Sequence, residues 1–178
     1  MNLLHDIPAG DPNKLVNVVI EIPIGSHIKY EYDPDLQIIK ADRFLYTAFT
    51  YPFNYGFIPR SWSEDDDPVD IVVISSQPIY PGPLVECRLL GVLETQDEEG
   101  NDAKIITVPK AKVDPDFAHI SEISDLPDHL KNKVQNFFEH YKSLEPGKWI
   151  KVTGWQDKDV AIKTVTDSIA RYKSHFSK

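Results

Sequence analysis

Short apolar stretches, rich in β-branched and aromatic residues, dominate the first two thirds of the chain. Residues 16–22 are mostly apolar, whereas in residues 28–32 the polar Lys29 and Glu31 alternate with three apolar side chains. A period of two places alternate side chains on opposite faces of a strand, so Lys29 and Glu31 share one face. Both stretches therefore predict strands, and a turn at residues 23–26 joins them.

Proline, glycine and acidic residues divide the following part of the chain into further short segments. Pro52, Gly56 and Pro59 interrupt the aromatic segment 46–59, which therefore predicts short extended pieces rather than a helix. An acidic turn at residues 97–101 lies between two apolar segments and predicts a hairpin. Four apolar segments predict further strands, at residues 38–45, 71–74, 84–94 and 103–108.

In the last third of the chain the apolar residues recur every three to four positions, which predicts helices. We expect a first helix to begin at residues 125–127 and to end near residue 142. A short strand at residues 149–152 and a turn at residues 154–157 precede a second helix, which Asp157 can cap. The expected apolar stripe of this second helix consists of Val160, Val165, Ile169, Tyr172 and Phe176.

Strands that precede helices are typical of an α+β fold, here one that is mainly β. We expect a small twisted or closed sheet with helices packed outside it. No repeat, low-complexity segment or linker interrupts the chain, so a single domain over residues 1–178 is predicted. The content of 41% hydrophobic residues is sufficient for the core of such a domain.

The charge balance limits the possible partners. A formal net charge of −9 argues against a surface that binds nucleic acids or anionic membranes. It is compatible with a small anionic substrate, because metal ions invert the local field. The single Cys87 can form no intrachain disulfide. No apolar run could cross a bilayer and residues 1–10 lack a signal-peptide pattern, so we expect a soluble cytoplasmic protein.

An acidic stretch at residues 64–70, which we call the acidic loop, runs directly into the apolar segment 71–74. Five of its seven residues are acidic, and carboxylates this close repel one another unless positive charge lies among them. Hard divalent cations such as Mg²⁺ prefer carboxylate oxygen, and Pro68 stiffens the loop. The stretch by itself fits both a metal site and a solvated acidic turn.

Other charged residues allow the same chemistry, and each also has a structural interpretation. The hairpin residues around Asp97 and Asp102 either add metal ligands or form an ordinary polar tip. Lys29 and Glu31 either line a site or form the solvated face of an edge strand. Tyr141 has the spacing of a packed helix residue. The six His residues are scattered, and the chain has no Gly-rich phosphate loop and no Ser or Cys nucleophile motif.

These residue types together support one kind of chemistry. Clustered carboxylates hold divalent metal ions, while Lys, Arg and Tyr side chains bind phosphate oxygens. The metal ions activate a water as the nucleophile, and one carboxylate need only accept its proton. The sequence therefore predicts metal-assisted hydrolysis of a small phosphate ester or anhydride.

The stretch Asp65-Asp66-Asp67-Pro68-Val69-Asp70-Ile71 resembles the signature of the family I soluble inorganic pyrophosphatases. Many members have Gly where this chain has Asp66, whose side chain we expect to point into solvent. An ordered set of matches is far more specific than one motif. The further matches span roughly residues 16–155, and they are Ile20-Glu21-Ile22-Pro23, Ile28-Lys29-Tyr30-Glu31, Asp42-Arg43, Tyr51-Pro52 with Asn54-Tyr55-Gly56, Asp97-Glu98 with Asp102-Ala103-Lys104, and Phe137-Phe138-Glu139-His140-Tyr141-Lys142.

The resemblance implies a fold, a reaction and a set of roles. The implied fold is a distorted, OB-like closed five-stranded β-barrel with flanking α-helices, and the implied assembly is a homohexamer. The implied reaction is Mg²⁺-dependent hydrolysis of pyrophosphate to two orthophosphates without a covalent intermediate. Asp67 matches the catalytic general base. The positions that match metal ligands are Asp65, Asp70, Asp102 and Asp97. The positions that match substrate-binding residues are Lys29, Arg43, Tyr55, Tyr141, Lys142 and Lys104. The positions that match supporting residues are Glu21, Glu31, Tyr51 and Glu98.

Two other functions remain open at the level of the sequence. One is a metal-dependent phosphohydrolase that acts on nucleotides or other phosphate esters. The other is a small OB-like module that binds oligonucleotides or a protein partner, although the net charge of −9 opposes the nucleic-acid version.

Overall fold

The computed structural model describes residues 1–98 and 100–176, and within these it contains nine β-strands and two α-helices. Glu99, in the predicted hairpin turn, lies outside the described residues, as do Ser177 and Lys178 at the end of the predicted domain. The strands are β1 (Gly10–Asp11), β2 (Leu15–Ile22), β3 (Ile28–Asp33), β4 (Ile38–Phe44), β5 (Asn54–Phe57), β6 (Asp70–Val73), β7 (Leu84–Asp97), β8 (Gly100–Pro109) and β9 (Ile150–Gln156). The helices are α1 (Asp128–His140) and α2 (Lys158–Phe176).

Five strands pair in a closed ring, in the order β2–β5–β6–β8–β7, and β7 returns to β2. Four of these pairings are antiparallel, whereas β6 and β8 run parallel. The strands β1 and β9 extend the sheet beside β2 and β7, and β3 pairs with β4 in a separate two-stranded sheet. The prediction of a mainly β fold with a closed sheet is confirmed in this form.

Successive side chains of the ring strands point to opposite faces and so divide the core into two layers, one against each helix. On β6, Ile71 and Val73 belong to a buried cluster that also contains Val165 of α2. Val72, between them, belongs to a second cluster that contains Phe137 of α1. Because both faces of the strand are covered, β6 is apolar at every position after its first residue, Asp70.

The predicted turn at residues 154–157 is wrong. The strand β9 continues through Gly154 to Gln156, and these two residues pair with Glu94 and Val92 of β7. The edge of the long β7 pairs with β9 beyond residue 152, where the sequence predicted that this strand ends. Cys87 is fully buried on β7.

The two helices also differ in detail from the prediction. Residues Ile123–Asp125 form a separate 3-10 turn, and α1 begins only at Asp128, because Pro127 has an extended ψ of 137°. Asp157 caps α2 as expected, since its Oδ1 accepts a hydrogen bond of 3.1 Å from the Val160 amide. The fully buried residues of α2 are Ala161, Val165 and Ser168, while Val160, Ile169 and Tyr172 of the predicted stripe are partly buried against the core clusters.

Within the described residues, neither helix is long and apolar enough to cross a membrane.

Gly56 permits the close approach of β5 and β2. It pairs with Ile20, and a Cβ atom at Gly56 would lie 1.9 Å from the carbonyl oxygen of Val19. We therefore expect Gly56→Ala to lower the free energy of unfolding by about 3 kcal/mol, measured by urea denaturation. Gly154→Ala is the matched control, because a Cβ there has no heavy atom within 4 Å. Equal losses in the two variants would contradict the close approach.

Candidate active site

A cleft of about 280 Å³ lies where β2, β3 and β5 meet the acidic loop, the β7–β8 hairpin and the end of α1. It brings together every predicted site residue except Arg43 and Glu98. The predicted residues that line it are Glu21, Lys29, Glu31, Tyr51, Tyr55, Asp65, Asp67, Asp70, Asp97, Asp102, Lys104, Tyr141 and Lys142.

Arg43 does not line the cleft but lies directly beside it. In the β3–β4 register it is opposite Lys29, which does line the cleft. Its guanidinium forms ion pairs with Asp42, at 2.6 Å, and with Glu145, at 3.2 Å. Arg43 is therefore held by carboxylates next to the cleft.

Glu98 also does not line the cleft, and lies in the turn between β7 and β8. It forms an ion pair with Lys148 and accepts a hydrogen bond from the Trp149 amide at 3.4 Å. Although some burial opposes ionisation, these partners lower the pKa of Glu98 to about 2. The contacts join the turn to the segment that precedes β9.

The parallel pairing of β6 with β8 positions the centre of the site. Ile71 is in register with Ile105, so the preceding residues, Asp70 and Lys104, are also neighbours across the two strands. Asp102 lies two residues before Lys104 on β8 and therefore shares its face. A lysine is thus placed between two carboxylates by strand register alone.

Lys104 forms the central ion pairs of the cleft. Its ammonium donates to Asp70 and lies 2.5 Å from Asp102, although the residue is only 4% exposed. Burial opposes the charged form of Lys104, but the two carboxylates outweigh it and raise its pKa. Burial also opposes ionisation of Asp70, whose pKa is nevertheless lowered by Lys104 and by the Tyr55 hydroxyl. The rings of Tyr55 and Phe138 lie 5.9 Å from the ammonium.

Three further carboxyl groups of the cleft, those of Asp67, Glu21 and Asp65, have raised pKa values. Partial burial, followed by the charges of Asp65 and Asp70, raises the pKa of Asp67 to about 6. Burial raises the pKa of Glu21 to about 8, although its carboxylate accepts a hydrogen bond of 2.7 Å from the Tyr32 amide. Burial and the charge of Asp70 also raise the pKa of Asp65. Seven carboxylates and only three lysines line the cleft, so added positive charge stabilises it.

The donor set of the cleft fits a hard divalent cation. Its charged and polar lining supplies carboxylate oxygens, and none of its described lining residues is His or Cys. Within residues 1–98 and 100–176, no three His, Cys, Asp or Glu side chains already converge at metal-binding distances. At the centre of the cleft, the Lys104 ammonium lies between Asp70 and Asp102 and keeps these two carboxylates from converging on one point.

Cationic and hydroxyl groups lie on the other walls of the cleft. Lys29 forms an ion pair with Glu31, and Lys142 lies 3.3 Å from Asp97. Burial raises the pKa of the Tyr141 hydroxyl, which therefore keeps its proton at neutral pH and can donate a hydrogen bond. These groups could contact the oxygens of a bound anion.

The structure also contains site features that the sequence did not indicate. One end of the cleft is apolar and is formed in part by Leu4, Tyr32 and Trp62.

The indole nitrogen of Trp62 donates to Asp66 at 3.3 Å. Asp66 is exposed and does not line the cleft, which confirms the expected solvent orientation. Its φ of +62° is a backbone conformation that glycine adopts readily. A Trp beside an acidic motif is the signal that could have drawn attention to this end.

Comparisons with known proteins agree with this geometry. Residues 18–173 match the family model described as inorganic pyrophosphatase. An inorganic pyrophosphatase from Aeropyrum pernix is 54% identical over 166 residues, which cover 93% of this chain and 94% of the relative. One from Aquifex pyrophilus is 50% identical over 169 residues, covering 94% and 96%. The crystal structure of inorganic pyrophosphatase from Thermus thermophilus has a TM-score of 0.93 at 49% identity and covers 97% of this chain and 99% of that chain.

The buried ion pairs of Lys104 predict a stability change that depends on cations. Lys104→Met leaves Asp70 and Asp102 close together without their central positive charge. In EDTA we expect the free energy of unfolding, measured by urea denaturation, to fall by about 3 kcal/mol or more. Mg²⁺ should recover part of this loss, because it replaces the missing charge. Lys112→Met, on an exposed loop, is the charge-matched control and should change little. A loss that Mg²⁺ leaves unchanged would contradict the electrostatic explanation.

Proposed function

The chain belongs to the inorganic pyrophosphatase family of hydrolases, and from this we propose that it hydrolyses inorganic pyrophosphate to two orthophosphates in an Mg²⁺-dependent reaction. The observation that carries the proposal is the composition of the cleft. Seven carboxylates line it together with lysine and tyrosine side chains, in a volume of about 280 Å³. Such a space suits a small, highly charged anion that arrives with cations.

In the proposal, carboxylates of the acidic loop and the β7–β8 hairpin hold the Mg²⁺ ions. When bound, such ions neutralise phosphate charge and lower the pKa of water. The raised pKa of Asp65, caused by burial and by Asp70, supports this role, because a nearby cation favours the ionised form. The proposed ligands are Asp65, Asp70, Asp102 and Asp97.

Asp67 is the proposed general base. Its pKa of about 6, which results mainly from partial burial, makes it a stronger base than an ordinary Asp while leaving it mostly ionised at pH 7. Its carboxylate accepts the proton of the water that attacks one phosphorus atom. The bond from that phosphorus to the bridging oxygen then breaks, so that two orthophosphates form without a covalent intermediate.

Cations and hydroxyl groups hold the substrate oxygens in the proposal. Burial raises the pKa values of Tyr55 and Tyr141, so both hydroxyls remain donors at neutral pH. Arg43 would exchange its ion pairs with Asp42 and Glu145 for contacts with phosphate. The proposed substrate-binding residues are Lys29, Arg43, Tyr55, Tyr141, Lys142 and Lys104. The proposed supporting residues are Glu21, Glu31, Tyr51 and Glu98.

The proposal also includes the wider properties that the family resemblance implies. The chain forms one domain over residues 1–178 with an OB-like barrel, acts in the cytoplasm and assembles as a homohexamer. Large apolar side chains are exposed on and beside β4, where they would be available for contact between copies. These side chains are Leu36, Ile38, Phe44 and Tyr46.

The proposed activity predicts phosphate release from pyrophosphate that requires Mg²⁺ and stops on addition of EDTA. Release from a nucleoside triphosphate under the same conditions should be slower. Pyrophosphate is compact and has no nucleobase, so a site built for it needs no surface that binds one. The apolar end of the cleft, at Leu4, Tyr32 and Trp62, is the feature that could instead favour a nucleotide. Faster release from the nucleotide would favour the more general phosphohydrolase. Absence of any turnover would leave only a binding module.

The assigned roles predict different effects for neighbouring carboxylates. Asp67→Asn should reduce turnover about 100-fold or more while Mg²⁺ binding persists, because only the proton acceptor is lost. Asp70→Asn should weaken Mg²⁺ binding itself, measured by isothermal titration calorimetry. Asp66→Asn is the matched control, since it removes the same charge from the same loop at a position that does not line the cleft. Full turnover by Asp67→Asn would show that the base is assigned wrongly.

A further inference from the structure

The acidic loop has open space on two sides. The cleft lies in front of it, and a second cavity of about 250 Å³ lies behind it, against β8 and α2. Asp65, Asp70 and Asp102 line both spaces, and Arg171 of α2 lines the second. Residues 64–67 are themselves exposed. The position of the tip therefore depends on its attachments rather than on close packing.

Hydrogen bonds at the base of the loop determine where it begins and ends. The hydroxyl of the buried Ser61 donates to the Ile58 carbonyl at 2.7 Å and accepts from the Val69 amide at 2.9 Å. The Ser63 amide donates to the Asp67 carbonyl at 2.7 Å, which closes the loop on itself. These bonds shape the loop but do not connect its tip to any other element.

Helix α2 supplies that connection through Trp62, which lies two residues before the acidic loop and whose indole nitrogen donates to Asp66 at 3.3 Å. The Trp62 amide donates to the Ser168 carbonyl at 3.1 Å, and Arg171 Nη1 donates to the Trp62 carbonyl at 2.8 Å. Both backbone polar groups of Trp62 are thus bonded to the same helix. The Trp62 ring lies 5.3 Å from the ring of His175 and 5.0 Å from that of Phe176, between centroids.

Arg171 makes a second contact with the loop, and its helix is firmly anchored. Its Nη2 lies 3.3 Å from a carboxylate oxygen of Glu64, whose side chain is 83% exposed. Ala161 and Val165 of α2 are fully buried in the core cluster of the ring strands. A continuous set of contacts therefore runs from the core through α2 and Arg171 to the loop that carries Asp65 and Asp67.

We propose that Arg171 is a positioning residue for the acidic loop. By holding the Trp62 carbonyl against α2, it sets the positions of Asp65 and Asp67 relative to Asp70, and thereby the affinity of the site for divalent cations. The inference rests on the proposed function in one respect, which is that these carboxylates bind Mg²⁺. The Glu64 ion pair contributes little, because it is largely exposed to solvent.

The test is the dissociation constant for Mg²⁺ alone, measured by isothermal titration calorimetry on the full chain. We expect Arg171→Met to raise this constant about tenfold, as loss of a group that orients metal ligands does. Arg171→Lys keeps the charge and one donor, so it should recover part of the affinity. Glu64→Gln, which removes only the exposed ion pair, should behave like the unmodified protein. Lys173→Met removes one positive charge from an exposed position of the same helix and should do the same.

Steady-state kinetics provide a second measurement. The Mg²⁺ concentration for half-maximal phosphate release should rise in Arg171→Met, whereas kcat at saturating Mg²⁺ should change less. A general loss of stability would instead lower the fraction of active protein at every Mg²⁺ concentration. Equal Mg²⁺ affinity in Arg171→Met and Lys173→Met would overturn the proposal.

Three further outcomes are informative. If Arg171→Met does not fold, the comparison of Arg171→Lys with Glu64→Gln decides: weaker Mg²⁺ binding in the former supports the proposal, and equal binding overturns it. If the unmodified protein releases no phosphate but Arg171→Met still weakens Mg²⁺ binding, the proposed function fails while the positioning role stands. If phosphate release is normal and Mg²⁺ affinity is unaffected, only the positioning role fails.

Discussion

The ion pairs of Lys104 with Asp70 and Asp102 are the interaction on which the rest of the site depends. Carboxylates that converge at the edge of a buried strand carry a high electrostatic cost unless a positive charge lies among them. The parallel register of β6 and β8 provides that charge at a residue that is only 4% exposed. The single positive charge of Lys104 is shared between two of the seven carboxylates that line the cleft, so the lining keeps an excess of negative charge that divalent cations can neutralise.

The ring of strands explains why this arrangement is rigid at its centre. Asp70 is the first residue of β6, and every later residue of that strand is buried between the layers that contain α1 and α2. The acidic loop just before it is exposed and depends on Trp62 and Arg171 for its orientation. The candidate site therefore combines carboxylates fixed by the sheet with carboxylates whose positions a helix determines.

Much of the fold and of the candidate site could be predicted from local patterns in the sequence. Alternation at Lys29 and Glu31 correctly placed these two charged side chains on a common strand face. The ordered family motifs predicted which residues meet in one cleft, with Arg43 and Glu98 beside it rather than in it. Those two residues differ because carboxylates and basic groups that are distant in the sequence bind them, and no local pattern encodes such partners.

The remaining differences also have non-local causes. The strand β9 continues through Gly154 because β7 offers it a partner edge, although glycine in a single sequence suggests a turn. Ser168 of α2 is buried with Ala161 and Val165, although a serine in a single sequence suggests an exposed position, because elements distant in the sequence cover it. The pairing of Trp62 with α2 joins residues more than one hundred positions apart, as the Arg171 contact shows.

The closure of β2 onto β7 has a consequence for how the protein is made. Strand β2 pairs both with β5 and with β7, which begins at Leu84, so the ring cannot close on a ribosome until β7 and β8 have emerged. The cleft then still lacks Tyr141 and Lys142, and the loop still lacks α2. A nascent chain therefore exposes the acidic residues of the cleft before Tyr141 and Lys142 have been synthesised. Folding dominated by such long-range pairings is slow, and only the nearly complete chain can assemble the site.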